Sequence, residues 1–166
     1  FLRAEDDALE IGSSTGYFLD DLRGYVRSIA GVEPGEAYRQ YANSRGIPTF
    51  ASQSALADRK FDAVFLFYVV EHLRDPIGYL SSLRDRLNVG GRVFIEVPNV
   101  DDVLLEPYTI PSFGPFYWQK AHYYNFSHKT LADVVARAGY KTRIFPVQRY
   151  DLSNHLVRMM EGKPGG

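Results

Sequence analysis

Cysteine is absent from the 166 residues, so disulfides and thiolate metal sites are excluded, and a reducing cytoplasm is permitted. An excess of charge of one sign is lacking too. Lys plus Arg number 19 against 20 Asp plus Glu, a formal net charge of -1, so neither nucleic acid nor an anionic membrane is implied as a partner. There is no apolar run long enough to span a bilayer and no signal peptide, and the expectation is a soluble, cytoplasmic protein. The chain opens at Phe1 without Met and stops in a glycine-rich tail at Gly166, which reads as a fragment at both ends. Internal repeats and low-complexity tracts are missing. What remains is a chain of one ordinary domain, long enough to bury a core.

Strand-like runs alternate with helical periodicity, the pattern of a parallel sheet with crossover helices. A first apolar run from Ala8 ends at Gly12, and a helix restarts after Gly16. Val26 to Val32 is a second strand, closing on Glu33-Pro34-Gly35; Ala37, Tyr38, Tyr41 and Ala42 then repeat at helical spacing until Gly46. Ile47 to Ala51 is a short third strand. Phe61 to Phe67 is nearly unbroken in its apolar character, as a central strand covered on both faces should be. Asp75 offers an N-cap, Pro76 takes the first helical position, and Ile77, Leu80, Leu83 and Leu87 form a stripe that Gly90-Gly91 ends. Arg92 to Val97 is a fifth strand, closed by Pro98.

Residues 99–126 carry no period but hold three prolines and eight aromatics, Tyr108, Phe113, Phe116, Tyr117, Trp118, Tyr123, Tyr124 and Phe126. Irregular stretches of that length are uncommon in compact domains, and this one reads as a substrate-side insertion or lid. Ser127 caps a further helix with the stripe Leu131, Val134, Val135 and Ala138, closed by Gly139. Lys141 to Val147 is the last strand expected.

The turn from Gly12 to Gly16 is where an open α/β sheet binds nucleotide-like ligands. Its spacing is not that of a dinucleotide fingerprint, since Ser14 lies two places after Gly12 and Tyr17 five. With no Tyr-x-x-x-Lys pair in the chain either, a nicotinamide-dependent oxidoreductase is disfavoured. Glu10, Gly12 and Gly16 instead resemble motif I of the class I S-adenosylmethionine (SAM) dependent methyltransferases, an acidic residue, any residue, then Gly-x-x-x-Gly, with Ser14 where the family usually has a third glycine. Phe61-Asp62, the run from Val70-Glu71-His72 to Pro76, Gly90-Gly91, and the stretch from Ala121 to Ser127 are similar to later signatures of the same family. The likeness covers nearly the whole chain. It implies one domain over 1–166, a doubly wound, mostly parallel, Rossmann-like sheet with helices on both faces. That sheet is shortened at its end, because members usually finish with a seventh, antiparallel strand and none follows Val147.

The resemblance also implies the cofactor, SAM, and the residues that hold it. Glu10 would meet the methionyl ammonium, the backbone around Gly12, Ser14 and Gly16 its carboxylate end. Glu33, about 20 residues after the glycine turn, would hold the ribose, a carboxylate being able to accept hydrogen bonds from both hydroxyls. Ser52 or Gln53 would meet adenine, where the family commonly has an aspartate, and Phe67 is assigned to the cofactor side.

Methyl transfer from a sulfonium destroys charge in the transition state, so positioning carries much of the acceleration. A hydroxyl acceptor needs a base, and His72 and His122 are the candidates; His128 and His155 read as ordinary loop or surface residues. In small-RNA 2′-O-methyltransferases two glutamates and two histidines hold a divalent metal. Glu71, His72 and His122 match three of those places, but Tyr68 occupies the fourth, so no metal is expected. Sugar C-methyltransferases use a downstream Glu-His, and here Lys120-Ala121 precede His122. The tail from Gln148 to Leu156 and from Gly162 to Gly166 is similar to tails of methyltransferases of bacterial polysaccharide assembly. The expectation is methyl transfer to a small-molecule hydroxyl, on a sugar or polysaccharide precursor, with a degenerate binding domain and a metal-assisted RNA 2′-O-methyltransferase as the alternatives.

Overall fold

The computed structural model describes residues 2–102, 105, 118–147, 156–157 and 160–161. They fall into two compact units, Phe1–Val70 with Tyr79–Val97, and Glu71–Gly78 with Pro98–Gly166. Tyr108, Phe113, Phe116, Tyr117, His155 and nearly all of the tail from Gln148 to Gly166 lie outside the described residues.

The first unit is a five-stranded sheet built from β1 (Asp7–Ile11), β2 (Ser28–Val32), β3 (Thr49–Phe50), β4 (Phe61–Phe67) and β5 (Leu87–Glu96). The order is β3-β2-β1-β4-β5 and every pairing is parallel. Parallel neighbours need crossovers, and helices α1 (Tyr17–Leu22), α2 (Glu36–Ser44) and α3 (Pro76–Leu83) supply them. Right-handed crossovers then put α1 and α2 on one face and α3 on the other, because the chain runs outward from β1 in one direction and from β4 in the opposite one. The strand order reverses between β1 and β4, so the crevice beyond their carboxyl ends is the natural ligand position.

The apolar residues lie where the strand and helix periods require. Ala8, Ala63 and Phe65 form one buried cluster, on which Phe18, Phe67 and Phe94 pack. Phe18 meets Phe65 and Phe67 edge-on, each at 4.9 Å between ring centroids, an arrangement the ring quadrupoles favour. Leu19, Ala42 and Ile47 form a second cluster that ties α1 and α2 to the sheet. Burying each such leucine or phenylalanine contributes roughly 1.5–3 kcal/mol.

Two expectations about elements are corrected. The helix opened by Asp75, whose carboxylate accepts the Gly78 N–H at 2.9 Å, ends at Leu83 and is followed by a single 3-10 turn, Arg84–Arg86. Leu87 therefore starts β5 rather than closing the helical stripe, and Gly90-Gly91 lie inside the strand. Pairing jumps from Phe61 with Leu87 to Ala63 with Arg92, and Gly90 takes φ +80 in the bulge between. Glycine permits that kink at little cost, which is why a helix stop and a strand bulge look alike in sequence. Lys141 to Val147 forms no strand; Phe145 and Val147 are each 65% exposed, and Pro146 brings no N–H to a ladder.

In the second unit, helix α4 (His128–Arg137) starts at Ser127 with a reciprocal cap. Ser127 Oγ accepts the Thr130 N–H at 3.2 Å and Thr130 Oγ1 accepts the Ser127 N–H at 2.9 Å. Just before it, Val100 N–H donates to the Phe126 carbonyl at 2.9 Å. Among the described residues no helix is long and apolar enough to cross a membrane.

Candidate active site

At the carboxyl end of β1 the chain turns through Gly12, whose φ of +73 lies in the left-handed region. A Cβ there would stand 2.7 Å from Val69 Cγ2, just beyond β4, so conformation and space both require glycine. Gly12 and Ser13 donate to the Val32 carbonyl at 2.8 and 3.2 Å, and Gly16 N–H closes the turn on the Ser13 carbonyl at 2.8 Å. Gly16, at φ +78, leaves room for Ile47 Cδ1, which a Cβ would approach to 2.8 Å. Ser14 stands at φ +47, the region a third glycine would take freely; serine there costs about 1–2 kcal/mol.

Two carboxylates flank this turn. Glu10 is 6% exposed, and its Oε2 is buried without a hydrogen-bond partner. Burial, reinforced by the Glu33 carboxylate, pushes its pKa from the usual 4.5 up to about 7. Glu33 Oε2 accepts the Ser14 N–H at 2.9 Å and Oε1 accepts the Gly35 N–H at 2.7 Å. Each oxygen keeps a second lone pair. Ser13 was not singled out by sequence, yet its Oγ is also buried without a partner, beside Gly31, where any side chain would collide with it. The only sequence signal for Ser13 was its place inside the turn.

The other cofactor-side candidates are distributed differently. Phe67 ends β4 with its ring against Phe18 and Phe65. Ser52 is exposed, and its Oγ shares a hydrogen bond of 2.7 Å with Ser54 Oγ. Gln53 lines a surface cleft with Asp58, Lys60, Ser82, Asp85 and Arg86. Asp58 and Lys60 precede β4, and Arg86 precedes β5, so this cleft lies toward the amino ends of those strands. It is not the crevice that holds Glu10 and Glu33. Tyr68, also at positive φ (+56), donates from its hydroxyl to Glu96 Oε1 at 2.7 Å.

The second unit brings His72 and His122 together, their ring centroids 4.8 Å apart at 71°. His72 Nδ1 lies 3.0 Å from the Ala121 carbonyl, which assigns the proton to Nδ1 and leaves Nε2 with a lone pair. Tyr123 N–H donates to the Glu71 carbonyl at 2.8 Å, Tyr124 hydroxyl to the Arg74 carbonyl at 3.2 Å, and Arg74 Nε to the Tyr123 hydroxyl at 2.9 Å. His122 Nδ1 is buried and has no partner. Glu71, which sequence placed only beside the histidines, is 1% exposed with neither carboxylate oxygen hydrogen-bonded.

The comparisons with known proteins agree with this architecture. Residues 1–143 match the family model described as a methyltransferase domain. The chain is 30% identical over 99 residues to the tRNA U34 carboxymethyltransferase of Desulforapulum autotrophicum, covering 53% of this chain and 30% of that protein. It is 29% identical over 92 residues to the ubiquinone biosynthesis O-methyltransferase of Dinoroseobacter shibae, covering 50% and 37%. The chain thus spans about a third of the length of these curated relatives. Among solved structures it is similar to a SAM-dependent methyltransferase of Thermotoga maritima described as a possible histamine N-methyltransferase, with a TM-score of 0.65, 26% identity, and coverage of 85% and 66%. The family match takes in all five strands, the Gly12 turn and both flanking carboxylates, and the chain belongs to the methyltransferase domain family.

Proposed function

We propose that this domain binds SAM and transfers its methyl group to a hydroxyl of a small molecule, a sugar or polysaccharide precursor. The observation that carries the reading is the pair of orphaned buried oxygens, Glu10 Oε2 and Ser13 Oγ, at the Gly12 turn. A buried polar atom without a partner is costly, and a ligand ammonium or hydroxyl would satisfy both. SAM, when bound, supplies a methyl group on a sulfonium.

The chain's own residues do the rest. Glu10 pairs with the ammonium, and the backbone of the Gly12 to Gly16 turn meets the carboxylate end. Glu33, already oriented by the Ser14 and Gly35 N–H groups, holds the ribose diol. Phe67 adds an apolar wall. Ser52 is retained as the adenine contact, while Gln53 lines the surface cleft beside Asp58 and Lys60. On the acceptor side, His122 with His72 is assigned to the proton that a hydroxyl must lose, and the aromatic stretch 99–126 to the acceptor itself.

The relative named a ubiquinone biosynthesis O-methyltransferase supports transfer to oxygen. A second reading, a tRNA acceptor, is favoured by the relative named a tRNA U34 carboxymethyltransferase. The net charge of -1 weighs against it, since phosphate backbones are gripped by basic surfaces. Calorimetric titration with SAM, its demethylated product and NAD tests the cofactor reading. SAM and its product should bind and NAD should not; a chain that binds NAD, or neither sulfur compound, sinks the proposal.

A further inference from the structure

We propose that Glu71, His72 and His122 form a binding site for one divalent transition cation of the Zn²⁺ class. One ligand atom from each residue lies within 4.8 Å of the other two. Metal–ligand bonds of about 2.0–2.2 Å hold ligand atoms no more than ~4.4 Å apart, so a small side-chain rotation completes the approach. The donor set, two imidazoles and one carboxylate, is one that suits zinc and iron rather than magnesium or calcium. Three protein ligands also leave a coordination position for an oxygen donor from solvent or substrate.

The condition of Glu71 and His122 is what an ion would resolve. Glu71 is 1% exposed and both its oxygens lack a partner, as does the buried His122 Nδ1. A buried carboxylate and a buried imidazole nitrogen left without hydrogen bonds are held at a cost that a bound cation would remove.

The site is also built before any ion arrives. The segment from Glu71 to Arg74 is sewn to that from Ala121 to Tyr124 by the Tyr123 and Tyr124 N–H groups on the Glu71 carbonyl, by the Tyr124 hydroxyl on the Arg74 carbonyl, and by Arg74 on Tyr123. The Ala121 carbonyl fixes the His72 tautomer, as second partners of metal-bound histidines do. The inference stands apart from the cofactor reading but refines the histidines' role. With the cation bound, their lone pairs hold it, and free-base action is closed to them.

The test is calorimetry and equilibrium dialysis of the protein, freed of metal by chelation, with Zn²⁺ alone. One ion per chain is expected, and Glu71→Gln or His122→Ala should weaken binding at least ~100-fold, beyond the usual loss of a supporting partner. The exposed His128, paired with Asp101, is the control, and His128→Ala should bind as wild type does. Should a ligand variant fail to fold, imidazole NMR of the wild type decides: Zn²⁺ should move the His72 and His122 resonances and leave His128 and His155 in place. No stoichiometric binding, wild-type affinity in both ligand variants, or shifts confined to His128 and His155 would overturn the site. SAM titrated into the same chelated protein reports on the cofactor reading separately.

Discussion

Glu10 offers the sharpest quantitative test, because its folded pKa of about 7 lies inside the pH range where the protein can be studied. An acid whose folded pKa is raised binds its proton more tightly folded than unfolded. Stability is therefore greatest below the unfolded value near 4.5, declines as pH rises toward 7, and is flat above. The full difference corresponds to ~3 kcal/mol, so Glu10→Gln should raise the unfolding free energy at pH 8 by up to that amount, measured by urea denaturation. Ligand binding should run the other way. If the ionised carboxylate holds the SAM ammonium, affinity must rise with the ionised fraction, ~10-fold between pH 6 and pH 8, with proton release near neutrality. Above about pH 8 the ligand's own amino group loses its charge and the gain ends. Calorimetry in buffers of different ionisation enthalpy reads both the affinity and the proton count. A wild type whose affinity is flat from pH 6 to 8, or a Glu10→Gln variant with the same slope, would refute the assignment.

Glu33→Ala should weaken SAM binding by ~1.5–3 kcal/mol, the worth of hydrogen bonds to a charged group, and unchanged affinity would remove Glu33 from the site. Assayed in the chelated, metal-free protein, His122→Ala should leave SAM affinity nearly intact while lowering turnover by ~10²–10⁴. Lowered thermal stability with turnover unchanged would instead make His122 a tie for its loop. Ser127→Ala breaks a reciprocal cap and should lower stability by ~1 kcal/mol in chemical denaturation, with cofactor affinity unchanged.

What the sequence determined by itself is the part that depends on local periodicity and on residues with narrow conformational roles. The apolar run Phe61 to Phe67 became β4 residue for residue, since an unbroken run of that length has few other uses in an α/β chain. Ser127 capped α4 as expected, and Glu10 and Gly12 close β1 by a local pattern, whereas the pairing of β1 with β2 brings Glu33 to the Ser14 N–H. Tertiary structure decided what local pattern leaves degenerate. Gly90-Gly91 could end a helix or kink a strand, and pairing with β4 chose the bulge. Lys141 to Val147 has the β-branched and aromatic residues of a strand, but composition yields a strand only where a neighbour accepts its ladder and its apolar side chains. Gln53 follows β3 in sequence but lines a cleft with Ser82, Asp85 and Arg86, a neighbourhood no spacing rule contains. Resemblance had already grouped Glu71 with His72 and His122, 51 positions on, but only folding showed it buried and unpartnered. Burial and unmet hydrogen bonds are properties of a surface closed by distant segments, so they exist only once the chain has folded.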